Sequence, residues 1–205
     1  FVAMISMFAS LIVFVMLVHY KDIITSDYII LLSAAVAFYM IGNYIEMSGM
    51  SLEKTVIGMK IRFLGTPFIP ILWYFCVREF CGMRFKWKFT PLLFAIIPLI
   101  ITYLAFTWEE NNLLFSSAEC FDDYCSGNVA MQPGPFSPYR YIYQHGINLA
   151  GILTLIYCYI HGTARFRKQS VLFLASVLIP IFNVSTYIIK TSFGNIDITP
   201  YALLV

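Results

Sequence analysis

Runs of roughly 20 residues without Asp, Glu, Lys or Arg recur along this chain, and nothing else in it limits the fold as strongly. The hydrocarbon core of a bilayer is about 30 Å thick, so a helix needs about 20 apolar residues to cross it. Such stretches occupy residues 1–18, 28–45, 63–77, 89–108, 141–160 and 171–189, and a seventh opens at Ile198. A signal peptide or a single buried core helix does not repeat in this way. Composition agrees, with 60% of the 205 residues hydrophobic and 12% charged, and the mean hydropathy is +0.79. These values lie far from the balance of a water-soluble domain. The expected fold is all-α: a polytopic seven-helix transmembrane bundle forming one domain over residues 1–205, since no linker, low-complexity tract or inverted repeat divides it. Both ends read as cut from a longer protein, because the chain starts at Phe1 inside one apolar run and stops inside another.

Lysines and arginines set the orientation, because short cytoplasmic loops carry the positive excess. Lys21 follows the first run; Arg78, Arg84, Lys86 and Lys88 follow the third; Arg165, Arg167 and Lys168 follow the fifth. The long connection 109–138 has neither residue type and carries Glu109, Glu110, Glu119, Asp122 and Asp123. The N-terminus is therefore expected outside and residue 205 on the cytoplasmic side. Topology accounts for the basic residues, so the net charge of +2 gives no reason to expect a nucleic-acid partner.

Cys120 and Cys125 lie five apart in the acidic outer loop, where an oxidising compartment permits a small disulfide without guaranteeing its geometry. Cys76, Cys81 and Cys158 read as small apolar packing residues. The outer loop is the sizeable non-helical piece, ending in the turn-rich stretch 131–138. Ser51 with Glu53 marks a helix start before the third run, and Gly65, Pro67 and Pro70 predict a kink within it; Pro180 predicts another in the sixth.

Charged and amide side chains are costly inside a bilayer and face the bundle interior or a water-filled cavity. Tyr39, Asn43 and Glu46 share one helical face by i, i+4, i+7 spacing; Glu53, Lys60 and Arg62 occupy the outer turns of the third helix. Arg140, Gln144 and Asn148 follow at steps of four, with His145 beside them and Gly151 allowing close approach further down. Ser176, Asn183, Tyr187 and Lys190 line the sixth helix. The inner halves of these helices are mainly apolar, so the polar groups gather at the outer end.

Two readings compete. In one, Asn43, Glu46, Lys60, Arg62, Arg140, Gln144, His145, Asn148, Asn183 and Tyr187 line an outward-facing ligand cavity roofed by the acidic loop. In the other, the same groups are interhelical hydrogen bonds and ion pairs, with Arg62, Arg140 and Lys190 snorkelling toward headgroups. Glu46, Glu53 and Asp197 stand against Lys60, Arg62, Arg140 and Lys190, a slightly positive balance that tolerates an anionic group. No cofactor is expected. His19 and His161 fall near one surface and His145 near the other, which excludes one metal held by all three, and no glycine-rich phosphate loop occurs.

The run Ser51-Leu52-Glu53-Lys54, the segment from Met59 to Pro70 and Leu72-Trp73-Tyr74-Phe75 resemble the N-terminal seven-transmembrane region of bacterial histidine kinases. Gly42 to Glu46 and Asp197-Ile198-Thr199-Pro200 add to the resemblance. It implies a sensory input domain in a bacterial plasma membrane, surrounded by lipid and working as a homodimer. An extracellular small molecule would bind in the outer bowl, shift helix arrangements, and signal through the seventh helix to a cytoplasmic output domain. Similar input regions precede histidine kinases, diguanylate cyclases and helix-turn-helix regulators, so the resemblance does not choose the output. A small transporter or channel is the alternative, and it calls for polar residues through the inner halves, where 96–104 and 149–156 offer few. An intramembrane enzyme calls for paired acids or an activated nucleophile, and neither stands out.

Overall fold

The computed structural model describes residues 2–21, 26–48, 51–83, 89–120, 129–163, 167, 170, 171 and 174; for 2, 119, 120, 129 and 130 it describes the backbone alone. The apolar runs in this part form helices α1 (Val2–His19), α2 (Asp27–Ser48), α3 (Leu52–Gly65), α4 (Ile69–Phe80), α5 (Thr90–Phe106), a short α6 (Trp108–Asn111) and α7 (Ser137–His161). Between α6 and α7 lie strands β1 (Phe115–Cys120) and β2 (Val129–Pro133). The helix expected over 171–189 apart from 171 and 174, the opening of a seventh, Asn183, Tyr187 and the Cys120–Cys125 pairing fall outside the described residues.

Local chemistry sets the helix ends. Ser51 caps α3: its Oγ accepts from the Lys54 backbone N–H at 3.4 Å, as the Ser51 signal predicts. Pro91 and Pro138 stand in the first turns of α5 and α7, where a missing N–H costs nothing. Asn112, in the left-handed region at φ 51°, ends α6. Among the described residues, α2 and the stretch Leu52–Phe80 of 29 residues are long and apolar enough to cross a bilayer, while α1 and α5 are shorter apolar helices. Ile12, Val15 and Met16 on α1, Leu92, Ile96 and Leu99 on α5, and Leu149 and Leu153 on α7 are exposed, an apolar surface that suits lipid or further helices.

Two contacts position everything else. In the first, α2 and α3 meet backbone to backbone. A Cβ added to Gly58 would stand 2.9 Å from the Glu46 Cα, and one on Gly42 would stand 2.6 Å from both the Arg62 Cα and the Gly58 carbonyl oxygen. Gly65 sits equally tightly on the Ala35 carbonyl. Lipid supplies no hydrophobic drive between helices, so such close approach and the dispersion it brings are what hold the two together.

The second contact is the break between α3 and α4 at residues 66–68, the kink that Gly65, Pro67 and Pro70 predict. Pro67 has no N–H to offer the Phe63 carbonyl, and Thr102 on α5 donates its hydroxyl there instead, at 3.1 Å. The Pro67 carbonyl accepts from the Tyr143 hydroxyl on α7 at 3.1 Å, and Thr66 Oγ1 donates to the Arg62 carbonyl at 2.8 Å. Three hydroxyls, two from other helices, thus answer the broken helix. Below the break, Trp73 of α4 lies against Gly151 of α7, the close approach that Gly151 was expected to allow, and packs with Val77 and Leu155.

The connection between α6 and α7 departs from the all-helical expectation. β1 and β2 pair antiparallel, with an irregular step between Phe115 and Ser117. Strands of 6 and 5 residues with weak alternation leave little trace in sequence, and the turn-rich stretch 131–138 read as loop. Pairing satisfies backbone groups that a loop lying on an apolar bundle would leave without partners. Gly134 N–H and Ser137 Oγ both donate to the Leu114 carbonyl, at 2.9 and 2.6 Å, locking the hairpin base to the start of α7. Trp108, Leu114 and Phe115 then pack on Val56, Met59 and Phe63 of α3 and on Ile101, Leu104 and Ala105 of α5.

Candidate functional site

The break, the hairpin base and the first turns of α7 surround a cleft lined by Phe63, Thr66, Pro67, Pro70, Ile101, Arg140, Tyr143 and Gln144. Its volume is about 220 Å³ with the open mouth included, and its enclosed part holds about one water. Arg140 reaches it from α7. Its guanidinium carbon lies 4.5 Å from the Tyr141 ring centre, 5.6 Å from that of Phe63 and 5.9 Å from that of Phe115. Its Nε is buried without a hydrogen-bond partner among the described residues.

The remaining expected residues among those described are spread over several places. Glu46 and Arg62 form an ion pair at 2.8 Å across the α2–α3 seam, both largely shielded. Lys60 points the other way and pairs with Glu109 at 3.5 Å beside the hairpin, with the carboxylate exposed. Asn43 is buried on the α2 face shared with Tyr39 and Glu46, its amide donating to the Met47 sulfur at 3.5 Å. Gln144 lines the cleft; Asn148, one turn further along α7, is buried at 8% exposure. His145 is half-buried, stacks on Tyr141 with centroids 6.5 Å apart and does not line the cleft. Thus Arg140 and Gln144 come together at the cleft, whereas Glu46, Arg62 and Lys60 are engaged in ion pairs around it.

Sequence reasoning passed over Thr66, Tyr143 and Thr102. Tyr143 lies at i+3 from Arg140, on the same helical face, and Thr102 is a lone hydroxyl deep in an apolar run, so both signals were available. Among the described residues no group of three His, Cys, Asp or Glu side chains could hold a metal.

Apolar outer walls, glycine-seamed helices and polar groups gathered at one hairpin-capped end define a helical membrane domain. The family model described as the N-terminal 7TM region of histidine kinase matches residues 2–205, and the chain belongs to that family. No curated protein and no solved structure matches it.

Proposed function

We propose that this domain is the sensory input of a membrane receptor: seven spans, N-terminus outside, with an extracellular small molecule bound at the hairpin-capped end and a cytoplasmic output domain at the other. One observation carries the reading. The cleft sits on the proline break, so a ligand there would compete with or reinforce the Thr102 and Tyr143 hydrogen bonds that hold α3 and α4 at their present angle. A ligand shifts an equilibrium between helix arrangements by its difference in affinity for the two. The movement would pass along α4 and across the Trp73–Gly151 contact to α7. Family membership and the charge pattern of the loops support the same direction of transfer. Lipid surrounds the bundle, and a homodimer is the working form that the family suggests.

The test substitutes Gln144→Ala, Asn148→Ala and Tyr143→Phe in the intact receptor and measures output alongside thermal stability. Altered output or altered ligand response from folded protein is the expected result. Unchanged signalling from all three folded variants rejects the reading.

A further inference from the structure

We propose that Arg140 is an anchor for a carboxylate, so that the ligand of this domain is a small organic acid with an apolar remainder; the proposal rests on the sensory reading above. A buried guanidinium N–H ordinarily has an acceptor, yet Arg140 Nε is sealed from solvent with no hydrogen-bond partner among the described residues. The guanidinium carbon lies over the Tyr141 ring, and the mutually perpendicular Phe63 and Phe115 rings stand with their centres 5.6 and 5.9 Å from it. Tyr141 shares a side-chain hydrogen bond with this guanidinium while Nε stays without an acceptor, and a carboxylate matches a guanidinium N–H edge with two parallel hydrogen bonds.

Charge points the same way. Glu46 is engaged by Arg62 and Glu109 by Lys60, while among the described residues no carboxylate lies within ion-pair distance of Arg140. The rest of the lining divides by chemistry. Gln144 and Tyr143 are polar neighbours for the acid end, and Phe63, Pro67, Pro70 and Ile101 offer apolar walls to the remainder. The enclosed part of the cleft has room for about one water, hence for one carboxylate oxygen, with the rest of the molecule in the open mouth.

The experiment uses the full-length protein in detergent and acetate as the smallest stable probe. Melting is followed in sodium acetate at about 100 mM, in sodium chloride at the same ionic strength, and in chloride with acetamide added. Acetate is expected to raise the Tm by about 2–4 °C over chloride, with acetamide giving no rise. Arg140→Gln should abolish the rise. Arg140→Lys, which keeps the charge and loses the paired edge, should retain less than half of it and decides the matter if Arg140→Gln does not fold. Equal protection by acetamide, an undiminished rise in the folded variants, or no rise at all, as when a hairpin carboxylate already occupies Arg140, overturns the proposal. Acetate protection together with output indifferent to Gln144→Ala, Asn148→Ala and Tyr143→Phe would sink the sensory reading alone. Output sensitive to those substitutions without acetate protection would sink the carboxylate site alone.

Discussion

Helix α3 is held in two opposite ways along its length. Against α2 it is fixed by backbone contact at Gly42, Gly58 and Gly65, with the Glu46–Arg62 ion pair beside that seam. At its C-terminal end it is broken, and its carbonyls are answered by single hydroxyls from α5 and α7. A backbone seam has one geometry, whereas a hydroxyl can exchange partners. The α2–α3 pair therefore reads as the fixed frame and the break as the adjustable joint. On the proposed sensory reading, a molecule bound at the break would move α4 and leave α2 in place.

The strongest way to break this comparison is Gly58→Leu, whose side chain would have to enter the space of the Glu46 backbone. A loss of about 3 kcal/mol or more is expected, read as a fall in Tm or in yield of folded protein; a near-native Tm would show that the seam can open. Gly151→Leu meets the Trp73 ring, which can shift where backbone cannot. About 1–3 kcal/mol is expected in the same assay. Arg62→Gln leaves the shielded Glu46 carboxylate without its cation, for a loss of about 1–2 kcal/mol after allowing for its partial exposure. Adding Glu46→Gln should recover part of that loss, measured as a double-mutant cycle.

Smaller effects sharpen the picture at the joint. Tyr143→Phe removes one hydrogen bond to the Pro67 carbonyl, for about 0.6–1 kcal/mol of stability, but it should change receptor output out of proportion to that figure. Equal and small effects on both would make the break a static kink. Lys60→Ala should cost under about 1 kcal/mol, since its Glu109 partner is exposed to solvent and salt.

Much of this was legible in the chain. The apolar runs locate α1, α2, α5 and α7, Ser51 announces the start of α3, and Pro67 with Pro70 announces its end. Spacing also put Tyr39, Asn43 and Glu46 on one face, which is the face that packs on α3. What spacing does not encode is which face meets which helix. Lys60 and Arg62 lie two residues apart and so point in different directions, one to the hairpin and one to α2, although both had been assigned to one bowl. The hairpin was hidden for a related reason. Its pairing depends on partners 9 to 18 residues apart and on the bundle surface beneath, and neither appears in a local pattern.

The chain's three tryptophans turn this architecture into its own instrument. Trp108 sits in the core under the hairpin and Trp73 in the Gly151 slot, both buried with no hydrogen bond to the indole N–H among the described residues; Trp87 lies outside them. Each indole reports the polarity of its own neighbourhood through its emission wavelength. With two of the three replaced by phenylalanine, the third becomes a probe of one end of the molecule. Light from Trp108 would follow the capped end and light from Trp73 the far side of the joint, so the order in which the two respond after mixing with a ligand would give the direction of the proposed signal.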